Sequence, residues 1–207
     1  MVRGLPGPAR PCRRDPGSGG HALSSGSLGT LTTGRFVLTP FDADRDWASF
    51  VADIVLDPNV TRFWTDFADP TLIDADKERL AADEFLPWFA EGAERGFIAW
   101  TVRTPDGEFV GTSGLVTSEP PVGGPDPEFG CLFATRWHGR GVATETGLAV
   151  LADAWARLDT DRIITVMDSP NQASRRLVDK LGFRFDAAVF DDESTPYLVF
   201  VLDRPPG

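Results

Sequence analysis

The segment from Arg136 to Gly141 has residue types and a spacing that point to chemistry. It reads Arg-Trp-His-Gly-Arg-Gly and stands directly before a pattern typical of a helix. A turn of this kind exposes the free N–H groups of the coming helix, which together with the helix dipole attract an anion such as a pyrophosphate. Glycine at positions 139 and 141 lets the ligand approach the backbone, because a Cβ would obstruct it. His138 and Arg140 are either additional donors or solvated loop residues.

The glycine spacing is weak evidence when taken alone, since it arises by chance about once in a chain of this size. Its neighbours on both sides make it informative. A strand pattern at Glu128–Phe133 precedes the turn, and a helix pattern over Val142–Leu158 follows it. A strand at Ile163–Met167 and a helix at Asn171–Leu181 come next. The turn therefore links a strand to a helix within a βαβα series.

The remaining elements complete a domain of the α/β (α+β) class. Aromatic and β-branched runs predict strands, and helical spacing of apolar residues predicts two earlier helices. The expected strands are 35–39, 97–103, 109–116, 185–190 and 198–202, and the expected helices are 42–55 and 73–94. Pro87 predicts a kink or a break in the second helix. Antiparallel hairpins followed by βαβα predict a mixed, mostly antiparallel sheet flanked by helices.

Residues 1–33 differ in composition from the rest of the chain. They are rich in Gly, Pro, Ser and Arg and hold hardly any large apolar side chain, so they cannot offset the entropy of ordering. We expect a disordered tail over 1–33 and a single domain over 34–203. Cys12 falls in that tail and Cys131 in a strand, a distribution that indicates no metal site and fits a reducing cytoplasm.

The net charge of the chain is −11, and the residues after position 35 carry 15 basic and 30 acidic side chains. So acidic a surface would repel nucleic acid and anionic lipid. No apolar run approaches the roughly 20 residues of a membrane span. We expect neither a nucleic-acid partner nor a membrane partner, while a cationic or amine substrate is compatible with this charge.

The series of motifs resembles the GNAT acyltransferases, in particular the branch of ribosomal-protein N-terminal alanine acetyltransferases. The resemblance runs from about Gly34 to Leu202 and is closest from Glu128 to Phe185. It depends on the strand before the turn, the turn itself and the later run Asn171-x-x-Ser174-x-x-Leu177-x-x-Lys180-Leu181-Gly182-Phe183. The resemblance implies an acetyl-CoA-dependent N-acetyltransferase whose sheet is splayed between its two central strands.

In that family the turn holds the pyrophosphate of CoA, and the pantetheine arm lies in the splay. The resemblance implies cofactor contacts from Phe133, Arg136, Trp137, His138, Gly139, Arg140, Gly141, Val142, Ala143, Thr144, Asn171 and Ser174. Asn171 is also a good helix N-cap, and Ser174 is also suited to be a small packing residue.

The resemblance also implies the catalytic residues. Glu128 matches a strand position where many relatives carry a general base, and Ser174 matches a position beside the thiol sulfur. Many relatives have a tyrosine acid where this chain has Val178, and its single tyrosine is Tyr197. This departure leaves Ser174 or water as the acid, and it keeps open a non-catalytic CoA-binding module as an alternative. A dinucleotide-binding domain does not fit, because its glycine fingerprint follows the first strand of a parallel βαβ unit, whereas this turn comes late, after an antiparallel hairpin.

The acceptor amine is left open by the sequence, since a protein N-terminus and a small molecule fit equally well. The loops 57–71 and 118–127 are expected to border it. Four aromatic residues either line an acceptor pocket or fill the core, and the core is the commoner role for such residues: Trp64, Phe67, Trp88 and Trp100. A homodimer is also left open.

Overall fold

The computed structural model describes residues 29–64, 67, 69–118, 124–190 and 196–206. The strands are β1 (Leu31–Thr32), β2 (Val37–Pro40), β3 (Ala99–Arg103), β4 (Phe109–Thr117), β5 (Pro127–Phe133), β6 (Arg162–Asp168), β7 (Arg184–Val189) and β8 (Tyr197–Asp203). The helices are α1 (Ala43–Phe50), α2 (Pro58–Thr61), α3 (Asp74–Glu94), α4 (Val142–Arg157) and α5 (Gln172–Leu181). A π-helical turn, Val51–Val55, extends α1, and a 3-10 turn, Thr135–Trp137, follows β5.

The sheet has eight strands in the order β1-β2-β3-β4-β5-β6-β8-β7. Neighbouring strands are antiparallel except β5 and β6, which are parallel and share the single register pair Glu128–Ile164. Beyond this pair the two strands part, which gives the splay between the central strands. The mixed, mostly antiparallel sheet flanked by helices confirms the predicted fold class. It also excludes the all-parallel arrangement of a dinucleotide-binding domain.

Helices cover both faces of the sheet and form two apolar clusters. On one face α4 and α5 pack over Leu115 of β4 and its cross-strand partner Phe129 of β5. On the other face α1, its π-turn and α3 pack around Phe50, Ile54 and Phe85. Because side chains alternate along a strand, Glu128 points to the face opposite Phe129.

Asp46 on α1 ties that helix to the sheet and is fully buried. Its carboxylate accepts hydrogen bonds from the Thr101 hydroxyl at 2.6 Å and from Arg103 at 3.0 Å, and it pairs with Arg45 at 2.7 Å. Burial alone would raise the pKa of Asp46, but these donors outweigh it and lower the pKa to about 2.

Several expectations need correction. Residues 31–33 do not belong to the tail, because Leu31 and Thr32 pair with β2 and the Thr33 hydroxyl bonds Glu145 at 2.7 Å. Residues 1–28 lie outside the described residues. Helix α3 is one continuous helix that includes Pro87, so the predicted break is absent.

In the described part of the chain, no helix is both long and apolar enough to cross a bilayer.

The aromatic residues divide between the two roles that the sequence left open. Phe67 and Trp100 are fully buried and belong to the core. Trp64 and Trp88 are partly exposed at the border of the α1–α3 cluster. The Trp88 indole N–H donates to the carbonyl of Thr117 at 2.7 Å, which fixes α3 against the end of β4.

Candidate active site

The glycine turn has the backbone that its sequence predicts. Gly139 and Gly141 have φ angles of +71° and +76°, in the left-handed region that favours glycine. An added Cβ at Gly139 would meet nothing within 4 Å, and at Gly141 it would meet only Nη2 of Arg35 at 3.7 Å. The space beside the turn is therefore open, and glycine leaves it available to a ligand.

Helix α4 begins at the turn with unfilled donors. Its N-cap is Gly141, which has no side chain to cap the first amides, and the first intrahelical bond runs from Glu145 N to Gly141 O at 3.1 Å. Val142 is buried, whereas Ala143 and Thr144 are half-buried. The first N–H groups of α4 and its positive dipole end thus form an anion site.

The Arg136 side chain is already bound within the protein. Its guanidinium donates to Asp53 at 2.8 Å and 3.1 Å, to Glu108 at 2.8 Å and to the Phe109 carbonyl at 2.9 Å. These two carboxylates raise its pKa further. The structure thus gives this side chain the role of joining the turn to β4 and to the π-turn after α1, and a cofactor contact from Arg136 would come from its backbone.

His138, Arg140 and Trp137 surround the turn in different ways. Nε2 of His138 donates to the Phe133 carbonyl at 2.8 Å, which links the end of β5 to the turn. Arg140 lies over the Trp137 ring at 5.5 Å, and no carboxylate of the described residues pairs with it. The Trp137 indole N–H is buried and lacks a partner among the described residues. Arg140 is thus the guanidinium at the turn that remains available to a phosphate.

Two residues that brace the turn were not singled out by sequence reasoning. Glu145 of α4 accepts from Arg35 Nε at 2.7 Å, from Arg35 N at 3.0 Å and from the Thr33 hydroxyl at 2.7 Å. Arg35 also donates to the Arg140 carbonyl at 3.0 Å. These contacts join segments about 110 residues apart, so no local sequence pattern predicts them.

The splay leads from the turn to Glu128. Five residue steps separate Phe133 from Glu128, roughly 17 Å along an extended strand. Over this length β5 has no register partner on β6, which leaves a gap between the strand edges. Phe133 is buried at the end nearest the turn, and Glu128 stands at the vertex where the strands still pair. The gap therefore joins the anion site to a carboxyl group.

Glu128 has a carboxyl group whose pKa is shifted upward. Desolvation raises the pKa of its carboxyl to about 7, against the opposing influence of the Ser118 hydroxyl and the Val166 backbone N–H. A carboxylate with a pKa near the working pH takes up protons effectively, since it is both ionised and basic enough. Glu128 is half-buried at the vertex, and the desolvation there raises its pKa.

Asn171 and Ser174 lie at the start of α5. Because β5 and β6 are parallel, the helices that follow them, α4 and α5, both begin at the carboxyl ends of these strands, one on each side of the splay. Oδ1 of Asn171 accepts from Ser174 N at 3.1 Å, so the N-cap role is present. Within the part of the chain that the structure describes, Nδ2 of Asn171 makes no hydrogen bond, so it is available to a ligand. Ser174 is half-buried in the first turn of α5.

The comparisons with known proteins agree with this geometry. A family model described as an acetyltransferase (GNAT) domain matches residues 35–184. The chain belongs to the GNAT acetyltransferases.

Solved structures of the same fold come from several GNAT proteins. A protein of Bordetella pertussis assigned to the GNAT family is 24% identical, with a TM-score of 0.65 over 84% of this chain and 98% of that one. RimL, a ribosomal-protein alpha-N-acetyltransferase in complex with coenzyme A, is 13% identical, with a TM-score of 0.64 over 84% of this chain and 98% of its own. Spermidine N-acetyltransferase of Vibrio cholerae, in complex with CoA and spermine, is 14% identical, with a TM-score of 0.60 over 82% of this chain and 95% of that one.

The position where many GNAT relatives carry a tyrosine acid lies in the core of this protein. Val178 is 2% exposed and packs in the cluster between α4, α5 and the sheet. Tyr197, at the start of β8, pairs in register with Asp168. The valine is therefore an apolar core residue.

Proposed function

We propose that this GNAT protein transfers an acetyl group from acetyl-CoA to a primary amine. The observation that carries the proposal is Glu128, a carboxyl group with a pKa of about 7 at the vertex of the splay. A module that only bound CoA would have no need of a desolvated carboxylate at that position, because such burial costs stability.

The turn and both helix starts fit CoA. The open space beside Gly139, the N-terminal amides of α4 and the guanidinium of Arg140, with which no carboxylate of the described residues pairs, suit a pyrophosphate and a further phosphate. Asn171 Nδ2 and the edges of β5 and β6 offer hydrogen bonds to the amides of a pantetheine arm. We assign the cofactor contacts to these groups and to the backbone from Arg136 to Thr144.

The chain then supplies two proton-transfer groups. Glu128, directly or through water, takes the proton that the acceptor amine loses as it attacks the thioester carbonyl. Ser174, at the start of α5, gives a proton to the departing thiolate. Water can replace Ser174 in this step, because a thiol with a pKa of about 8.5 is a good leaving group. Glu128 therefore contributes more to the rate than Ser174 does.

The test is CoA release from acetyl-CoA with a panel of primary amines. The wild type should turn over, with a rate that rises through an inflection near pH 7. Glu128→Gln should lower kcat by about 10²–10⁴ and lose that inflection, while acetyl-CoA affinity stays the same. Ser174→Ala should have a smaller effect.

Two results would contradict the proposal. CoA binding without turnover of any amine would favour the non-catalytic module. An unchanged rate and pH profile in Glu128→Gln would remove this residue from the reaction.

A further inference from the structure

A cavity lies next to Ile164, on the face of the sheet to which Glu128 points. Its volume is about 290 Å³, and its lining residues are Gly124, Pro125, Asp126, Arg162, Ile164, Asp186 and Val199. Ile164 is the register partner of Glu128, and partners in a parallel pair point to the same face. An amine in this cavity would reach the vertex of the splay from the side opposite α4.

The charges around the cavity do not cancel. Asp126 and Arg162 form an ion pair at 2.8 Å. Arg184 pairs with Asp203 at 3.0 Å and reaches Asp186 only at 3.5 Å. The lining itself thus holds two carboxylates, Asp126 and Asp186, against the single guanidinium of Arg162, and the ion pair that Asp186 makes with Arg184 is longer, at 3.5 Å, than the ion pair of Asp126. This wall attracts a cation.

The remaining surface suits a short hydrocarbon chain. Ile164 and Val199 are buried side chains of β6 and β8, and Pro125 adds a third apolar group. The buried Ser118 hydroxyl lies close to the Glu128 carboxyl and opposes the rise of its pKa. The cavity equals roughly ten times the 30 Å³ share of a water molecule, which is room for a small molecule.

We propose that this cavity receives the acceptor, and that the acceptor is a small aliphatic diamine whose distal ammonium binds Asp186. This inference rests on the proposed function and names its substrate class. One amino group stands neutral beside Glu128 for attack on the thioester, and the other stays charged at the far wall. Repulsion between the two ammonium groups of a diamine favours loss of one proton, which helps the attacking group.

The experiment compares three terminal amines of equal length, namely diaminopentane, aminopentane and aminopentanoate. With acetyl-CoA saturating, kcat/KM should be highest for diaminopentane and lowest for aminopentanoate. Asp186→Asn should lower kcat/KM for diaminopentane roughly fivefold, the size of a partly exposed ion pair, and should change aminopentane less than about twofold. Asp83→Asn, on an exposed position of α3, removes the same charge and should change neither value.

The outcomes separate this inference from the proposed function. Turnover of aminopentane with no preference for diaminopentane would refute the diamine acceptor and leave acetyl transfer intact. A preference for aminopentanoate, or for a peptide with a free N-terminus, would refute it as well. If calorimetry with CoA present shows no diaminopentane binding and no amine is acetylated, the acceptor assignment fails. A separate calorimetric titration with acetyl-CoA then tests the cofactor site.

Discussion

At the scale of single residues, the desolvation that raises the pKa of Glu128 lowers the stability of the folded protein. The folded state holds the Glu128 proton up to about pH 7, whereas the unfolded chain releases it near the ordinary value of 4.5. Between these values the native state binds more protons, so stability falls as the pH rises. The loss is complete above pH 7 and amounts to at most about 3 kcal/mol.

Glu128→Gln should therefore stabilise the protein by about 1–3 kcal/mol at pH 8 and by much less near pH 4.5. Urea unfolding at the two pH values measures this difference. Glu78→Gln, an exposed change on α3, should show no such pH-dependent gain. Equal stability of Glu128→Gln and the wild type at pH 8 would show that the carboxyl is well solvated.

At the scale of elements, the attachment of α1 to the sheet depends on Asp46. Its folded pKa of about 2 lies below the ordinary 3.8, so its contribution is fully present above pH 4 and is lost as the pH falls through 2. Asp46→Asn should cost about 2–4 kcal/mol at pH 7, because Arg45 and Arg103 would lose a buried partner. Asp44→Asn, an exposed change on the same helix, should cost under about 0.5 kcal/mol in the same urea titration. A cost for Asp46→Asn equal to that control would mean that α1 is held by its apolar face alone.

The elements themselves were largely predictable, and the contacts between them were not. The hairpin of β3 and β4 followed from alternating apolar residues around Pro105-Asp106-Gly107, and the glycine turn followed from its place between a strand and a helix. Strand β1 was missed because two residues carry no pattern of their own and form a strand only against β2. The pairing of Arg136 with Asp53 joins residues 83 positions apart, which no local spacing encodes.

At the scale of the whole molecule, the first residues of the domain are part of the candidate cofactor site. Thr33 and Arg35 hold Glu145 on the first turn of α4, so we expect the functional unit to begin before residue 31. A chain without residues 1–28 should bind acetyl-CoA and turn over like the full chain. Removal of residues 1–35 should weaken binding several-fold, because the Arg140 carbonyl and Glu145 lose their partners. Calorimetry on both truncated chains measures this, and lost activity after removal of residues 1–28 would assign those residues a role in function.

We propose that acetyl-CoA binds to the backbone of the glycine turn. Calorimetric titration of acetyl-CoA into Gly141→Val tests it most directly, with Gly107→Val as the matched control. Both glycines have a positive φ and no neighbour closer than 3.7 Å to an added Cβ, so both substitutions bring similar backbone strain. We expect Gly141→Val to bind acetyl-CoA at least about tenfold more weakly than the wild type does, a loss of about 1.4 kcal/mol or more. Gly107→Val, in the hairpin turn, should bind as the wild type does. A folded Gly141→Val protein with unchanged acetyl-CoA affinity would show that the backbone of the glycine turn does not bind acetyl-CoA.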